Sequence, residues 1–499
     1  MKRSRRASVP LRLLPLFCGA LASACAVGPD FHRPAAPQVH DYVAAAPSST
    51  VAADTAGGEA QSFASGLDVP GQWWRAFQSP QIDDLVQSAL AANPDVQSAQ
   101  AALRAALETA AAQRGSYYPA LSAGVSSSRE QDATGTLAPT LSSGASIFTL
   151  HTAQLDVGYT LDIFGANRRQ VESLLASAET QRFQAEATYL TLISNVIVAA
   201  ITQASAQTQL LTTHDMVEGG HASLEILRQL YQQGSIASAQ ISAQETTLAQ
   251  MEATLPALQQ QLAQQRDLLA RLSGRLPGEW SAPDLELSML SLPQQLPLSL
   301  PARLVEQRPD VRAAEASLHA ATAQVGVAIA NMLPNISLTA DAGTAAVRLS
   351  QLLGPGTRFW SVGASLSQTV FAGGTLLHRK RAAVANMDQA AAQYRSTVLE
   401  AFREVADVLA ALQADAATLE AQARAEHAAA ATLAVVRQNL QLGSASYLEL
   451  LDAERNRQQS ALAVEQARAQ RLADTVALFQ ALGGGWWNRA PPDRPAGGS

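Results

Sequence analysis

The sequence predicts a mainly α-helical chain with a smaller set of membrane-spanning β-strands, built from two similar halves. Three observations support this fold class. Segments of the first half recur in the second, several segments alternate polar and apolar residues, and two long runs contain neither glycine nor proline. Together these features favour a tube, in which a small barrel in the membrane is continued by long helices.

Composition limits the alternatives. The chain has 499 residues, of which 47% are apolar and 15% are charged. A disordered chain would be poorer in apolar residues and richer in charge. The formal net charge of −7 gives no overall attraction for nucleic acid.

Residues 1–24 are predicted to be a signal peptide. Lys2, Arg3, Arg5 and Arg6 precede an apolar run that ends in small residues before Cys25. This layout is similar to a bacterial lipobox, although Ala22 stands where leucine is usual. We therefore expect lipidation of Cys25 at the head of an N-terminal segment, residues 25–84, and Ala26 at the next position implies the outer membrane. The alternative is ordinary cleavage that leaves a free cysteine.

The mature chain is expected to contain no apolar stretch of 18 residues, which would exclude a helical membrane span. Any crossing of a bilayer must then use strands. Alternation of period two occurs at about residues 119–128, 151–164, 334–343 and 359–371. Such strands fit a membrane barrel with lipid outside and water inside. A soluble sheet with one wet face would alternate in the same way.

The two halves are recognised by recurring motifs. Asn93-Pro94-Asp95-Val96 returns as Arg308-Pro309-Asp310-Val311, and Gly234-Ser235 returns 209 residues later as Gly443-Ser444. We place the first repeat at residues 85–274 and the second at 300–483. Residues 275–299 link them, and residues 484–499 form a tail. Each repeat is expected to run helix, strand pair, long helix, tip and helix.

The long helices favour a tube over a globular domain. Residues 375–442 contain neither glycine nor proline and would form a helix of about 100 Å. Residues 166–218 would form one of about 80 Å. Four strands per chain cannot close a water-filled barrel, and an open sheet edge is not tolerated in lipid. Self-association is therefore expected.

Several motifs together resemble the TolC-like outer membrane factors, in the NodT-type (OprM-like) lipoprotein branch. The matching segments are Cys25–Phe31 with Pro34, Trp73-Trp74 with Phe77, Leu300-Pro301, Glu306–Glu315, Val325–Ala328, Leu333–Leu338, Phe371–Gly374 and Tyr447–Ala453. The resemblance implies a homotrimer whose strands form a twelve-stranded outer-membrane β-barrel, continued by a periplasmic α-helical tube. It also implies a passive duct for drugs or other small toxic compounds, with palmitate among the lipids on Cys25.

The same resemblance implies the partners. A periplasmic adaptor would couple the duct to an inner-membrane pump of the RND type, and outer-membrane lipid would surround the barrel. Gly234, Ser235, Gly443 and Ser444 would form helix tips that meet the adaptor, with Arg228 and Arg437 six residues before each glycine. Plain turn chemistry is the alternative, since glycine supplies turn conformations that other residues resist.

Glu449 and Asp452 are the candidate gate. A spacing of three places both on one helix face, so a trimer would carry two acidic rings near its closed end. The equivalent residues of the first half are Gln240 and Ala243. The alternative is a solvated helix face with Arg455 and Arg457 as partners.

The sequence suggests neither catalysis nor a cofactor. It has no glycine-rich phosphate loop, no nucleophile motif, and no histidine or cysteine pattern typical of a metal site. Within the channel class, the alternatives are type I protein secretion and a metal-ion or glycolipid export duct. A lipid-anchored helical scaffold without a pore is the alternative from another class.

Overall fold

The computed structural model describes residues 26–39, 41–43, 48–131 and 147–489. The predicted signal peptide, Cys25 and most of the predicted tail lie outside these residues. The chain divides into two compact units. One contains residues up to Arg33 together with 104–180 and 315–393, and the other contains 34–103, 181–314 and the residues from Tyr394 onward.

The helices are α1 (Pro80–Ala92), α2 (Pro94–Arg114), α3 (Ala166–Gln232), α4 (Ser238–Glu252), α5 (Leu255–Leu272), α6 (Pro301–Gln307), α7 (Pro309–Ala330), α8 (Thr375–Gln441) and α9 (Tyr447–Ala481). The strands are β1 (Ser62–Ser65), β2 (Ala120–Gln131), β3 (Ile147–Leu161), β4 (Gln295–Leu298), β5 (Asn335–Ala346) and β6 (Arg358–Ser367). Proline begins α1, α2, α6 and α7, where its missing N–H costs no helical hydrogen bond.

The first unit contains a four-stranded antiparallel sheet in the order β2-β3-β5-β6. Each alternating segment overlaps one of these strands, but every bound differs from the approximate prediction, by one to four residues. Strand β3 ends at Leu161 because both Asp162 oxygens accept backbone N–H groups at the start of α3. Strand β6 ends at Ser367, which pairs with Asn335, the first residue of β5, so no partner strand extends farther.

Helices α3 and α8 each contain 67 residues, which corresponds to about 100 Å. The run without glycine or proline ends at residue 218, but α3 continues through Gly219 and Gly220 to Gln232, just before the predicted tip. The returning helix of the first half is also different from the expectation. It divides into α4 and α5 near Pro256, whose ring cannot sit inside a continuous helix, whereas α9 is unbroken.

Helix α3 corrects one sequence-based exclusion. Among the described residues it is the one helix with an 18-residue window apolar enough to cross a membrane, at a mean hydropathy of 1.4. However, 56% of that window is buried inside the protein. Ile193, Ile197 and Ile201 pack within the core of the second unit. The window therefore has the composition and the burial of a core helix.

The main core of the second unit is built on aromatic residues from distant segments. The Trp73 ring stacks on Phe479 with centroids 5.0 Å apart, and Phe77 meets Phe479 edge to face at 6.5 Å. Beside this core, β1 pairs in parallel with β4. These short strands were not predicted, because four residues are too few to show an alternation.

Candidate functional site

The four-stranded sheet has one polar and one apolar face. Backbone pairing aligns Ser122, Asp156, Asp341 and Ser361 in one row across the strands. Side chains one residue away point to the opposite face. There the neighbouring row is apolar, consisting of Leu121, Val157, Ala340 and Val362. The sheet can therefore contact water on one face and lipid on the other.

The outer strands of this sheet have unpaired edges in the part of the chain that the structure describes. Strand β2 pairs with β3 alone, and β6 pairs with β5 alone. Large apolar side chains also remain exposed, including Val125, Trp360 and Val362, at 80%, 76% and 73%. Free edges and exposed apolar rows are typical of strands that pair with another chain.

The two predicted tips have the same turn geometry. Gly234 and Gly443 each adopt a φ of 74°, in the left-handed region that favours glycine. The N–H of Ser235 donates to the carbonyl of Leu230, and that of Ser444 donates to Asn439, both at 2.9 Å. These bonds satisfy carbonyls at the ends of α3 and α8.

Each tip is also closed by an ion pair. Arg228 pairs with Glu245, and Arg437 pairs with Glu454, both with N–O distances of 3.0 Å. Three of the four side chains are exposed and Glu454 is partly exposed, so each pair contributes at most about 1 kcal/mol. The predicted arginines therefore link the two helices of their hairpins, and contact with an adaptor stays a prediction.

The two candidate gate residues have partners within the chain. Glu449 forms a capping box with Ser446 at the start of α9: Ser446 N donates to the carboxylate at 2.9 Å, and Glu449 N donates to the Ser446 hydroxyl at 3.2 Å. Asp452 pairs with Arg455 at 3.1 Å. The predicted alternative partner Arg457 contacts Glu426 instead. A role of either carboxylate in gating stays a prediction.

A cavity of about 240 Å³ lies beside Asp452. It is between α9 and the hairpin formed by α3 and α4, called here the first hairpin. Asp452 and Arg455 line it from α9, and Met216 and Gly220 line it from α3.

The first described residues dock on the first unit, which sequence reasoning missed. Gly28 lies so close to Gly326 of α7 that a Cβ atom on Gly28 would be 2.4 Å from the Gly326 Cα. Arg169 donates to the Val27 carbonyl and pairs with Asp30 at 2.6 Å. The Phe31 ring stacks on His319 with centroids 4.4 Å apart. Both glycines are visible in the sequence, but only the folded chain shows that Gly28 and Gly326 meet.

This docking site holds its charges in ionised form. The hydrogen bond and charge of Arg169 lower the pKa of the exposed Asp30 carboxyl. Burial opposes ionisation of Glu172, but hydrogen bonds from Arg169 and His319 outweigh it and lower the pKa of Glu172. His319 Nε2 contacts the Glu172 carboxylate at 2.9 Å.

One further cluster was not anticipated. Among the described residues, His214, Asp215 and Glu218 are the single group whose ligand atoms approach closely enough for a metal ion, within 4.8 Å of one another. All three are exposed. Exposed acidic groups of this kind are common without a metal, so the cluster defines no site.

Comparison with known proteins identifies the class of molecule. The family model described as outer membrane efflux protein matches residues 85–275 and 300–484. These segments cover well over half of the chain, which therefore belongs to the outer membrane efflux protein family.

Individual relatives agree over almost the whole chain. The toluene efflux pump outer membrane protein TtgC of Pseudomonas putida is 30% identical over 470 residues, which are 93% of each chain. The solved outer-membrane channel OprN is 30% identical with a TM-score of 0.81, covering 93% of this chain and 100% of its own. The open state of the Neisseria gonorrhoeae MtrE channel is 25% identical with a TM-score of 0.79, covering 92% and 98%.

The protein is therefore an outer-membrane channel component of an efflux system. This confirms the function and localisation predicted from the sequence and disfavours a scaffold without a pore. The relative TtgC is named as the outer membrane protein of an efflux pump, so such channels work as parts of larger efflux systems. The family is one of channel proteins, not of enzymes.

Proposed function

We propose that three copies of this chain close a twelve-stranded barrel, with β2 of one copy paired to β6 of the next. Two free edges and one continuous apolar face support this assembly. Closure satisfies the edge N–H and C=O groups, which lipid cannot solvate. The polar row with Asp156 and Asp341 then lines a water-filled passage. The opposed faces of this sheet are the observation on which the proposal depends.

The helices continue the passage into the periplasm in this proposal. Two internal repeats build it, and the equal lengths of α3 and α8 support that division. Each copy contributes two helical hairpins with tips at Gly234-Ser235 and Gly443-Ser444. These tips are proposed to contact the periplasmic adaptor, which connects the duct to an RND-type pump of the inner membrane.

We propose lipidation of Cys25, including palmitate, as a second attachment to the outer membrane. The docked segment that follows Cys25 supports this assignment. Val27 N donates to the carbonyl of Phe164, three residues beyond the end of β3. The described segment that follows Cys25 therefore lies near the end of the proposed membrane sheet.

The cargo is proposed to be small apolar compounds and drugs. The toluene pump that contains the relative TtgC supports this class. No observation favours protein secretion, metal-ion export or glycolipid export for this chain. A passive duct needs no cofactor of its own, because the pump supplies the energy.

The closed end is proposed to lie at Glu449 and Asp452. One related channel, MtrE, was solved in an open state. Three copies would bring six of these carboxylates together, where they can hold cations or pair with Arg455. Bound cations would tie neighbouring copies at the aperture, whereas the observed pair of Asp452 with Arg455 lies within α9.

Charge removal at this end tests the proposal. Glu449→Gln with Asp452→Asn keeps an amide in place of each carboxylate, and glutamine also serves in a capping box. We expect single-channel conductance in planar bilayers to rise at least about twofold, because the ionic ties across the aperture are lost.

A matched control separates the aperture from general charge effects. Glu420→Gln removes a carboxylate that pairs with Arg424 on the exposed side of α8. This control should leave the conductance as it was. An unaltered conductance in the double variant would remove both carboxylates from the gate.

A further inference from the structure

The sequence Gly219-Gly220 lies inside α3, before the first tip. Both residues remain helical, and α3 ends only at Gln232. Glycine is the residue least compatible with a helix interior apart from proline, since it has the most backbone freedom to lose. A pair of glycines in a 67-residue helix is therefore a point of low local stiffness.

Hydrogen bonds weaken the same turn. The Ser223 hydroxyl donates to the Gly219 carbonyl at 2.7 Å, and Gln244 Nε2 of α4 donates to the Gly220 carbonyl at 3.3 Å. Serine side chains that bond four residues back bend helices. Kinks in helices occur at Gly/Ser combinations and where side chains compete for the backbone ladder.

The second hairpin, formed by α8 and α9, provides an internal comparison. Its equivalent positions, 209 residues later, are Ala428 and Ala429. The alignment is supported by the ion pairs of Arg228 with Glu245 and of Arg437 with Glu454, which share the same offset. The back-bonding also recurs, because Thr432 donates to the Ala428 carbonyl at 2.9 Å. The glycine pair and the hydrogen bond from Gln244, whose equivalent is Ala453, thus distinguish α3 from α8 at this level.

Gly219 and Gly220 differ in the space around them. A Cβ atom on Gly219 would meet nothing within 4 Å. One on Gly220 would lie 3.0 Å from Leu248 and 3.3 Å from Met251, both on α4. Gly220 therefore lets α4 pack closely, whereas Gly219 has no packing role within the chain. The cavity of about 240 Å³ borders both glycines and the candidate gate residue Asp452.

We propose that Gly219-Gly220 is a bending point through which the tip of the first hairpin moves relative to the rest of α3 when the channel opens. The second hairpin has Ala428 and Ala429 at the equivalent positions, so its long helix bends less there. The consequence for opening rests on the closed end proposed above, but the bending point itself does not.

Hydrogen exchange tests the bending point independently of the gate. The detergent-extracted trimer is labelled, and exchange is compared for peptides spanning residues 217–226 and 426–435, after correction for intrinsic rates. The first peptide should exchange faster. Gly219→Ala should slow it about fivefold, as expected from the helix propensities of glycine and alanine. Ala428→Gly should speed the second peptide. Equal exchange of the two wild-type peptides would overturn the proposal.

Bilayer recordings test the role in opening. Gly219→Ala should lower the open probability of the channel. It should also reduce the increase in single-channel conductance that Glu449→Gln with Asp452→Asn produces. Since the added methyl group meets no described atom of this chain within 4 Å, the chain itself accommodates this variant. Slower exchange with an unchanged open probability would overturn the role in opening. If the gate variants alone had no effect, the gate assignment would fail, while the exchange data would still decide the bending point.

Discussion

The carboxyl groups of Asp415 on α8 and Asp474 on α9 lie against each other in the second unit. Burial, followed by the nearby Asp474 carboxyl, raises the pKa of Asp415 to about 7. Arg471 opposes this shift, but its guanidinium donates to Thr50 and Gln61 rather than to the pair. Asp415 therefore holds its proton more readily in the folded protein than in the unfolded chain.

This pair predicts a pH-dependent stability. The pKa of Asp415 is raised in the folded state above its ordinary value of 3.8. The folded state then binds more protons between about pH 4 and pH 7, and stability falls as the pH rises through that window. Asp415→Asn removes the repulsion, because the new amide donates to Asp474. At pH 8 we expect the free energy of unfolding to rise by about 1 kcal/mol, a modest value because the pair is partly solvated.

Thermal unfolding of the extracted protein, followed by circular dichroism at pH 5 and pH 8, measures this effect. The variant should lose part of the pH dependence. Asp388→Asn, at an exposed position of the same helix, should keep it. An Asp415→Asn protein with the wild-type pH dependence would show that Asp415 does not cause it.

At the scale of elements, the docked segment 26–33 is held by backbone proximity as much as by charge. Gly28 has a φ of 100° and leaves no room for a Cβ beside Gly326. Gly28→Ala should therefore displace the segment and cost about 2–3 kcal/mol of local stability. Chymotrypsin should then cut after Phe31, which otherwise stacks on His319.

Gly66 supplies the control for this prediction. Its φ is 78°, yet a Cβ there would meet nothing within 4 Å. Gly66→Ala thus carries the backbone strain without the collision, and it should leave Phe31 protected. Equal protection of Phe31 in both variants would mean that the contact of Gly28 with Gly326 is dispensable for docking.

At the scale of the whole molecule, the proposed trimer depends on which face of the sheet meets lipid. Val362 lies on the apolar face, and its neighbour Ser361 lies on the polar face, where it donates to Asp341. Val362→Lys places a charge in lipid and should cost about 2–4 kcal/mol near the membrane midplane. The fraction of heat-modifiable trimer on gels should fall accordingly.

Ser361→Lys adds the same side chain one residue away. On the polar face the ammonium can pair with Asp341 in water, so trimer yield should stay close to that of the wild type. Similar losses in both variants would contradict the proposed arrangement of lipid and water. Similar yields in both would argue that this sheet does not enter a bilayer.

The sequence by itself determined the family, through motifs distributed over both halves, and it indicated the class of each long element. Alternation of period two marked Leu155, Val157 and Tyr159 as one face of a strand, since this pattern depends only on neighbouring residues. The absence of helix breakers likewise marked α8. Such local patterns can be recognised without knowledge of the fold.

Only the tertiary structure decided which distant residues meet. Gly28 and Gly326 are isolated glycines in the sequence, and Asp415 and Asp474 are two among many acidic residues. The continuation of α3 through Gly219-Gly220 also required tertiary contacts, because packing against Leu248 and Met251 offsets the poor helix propensity of glycine. Contacts between residues far apart in the chain leave no periodic trace, so they become visible only when the chain is folded.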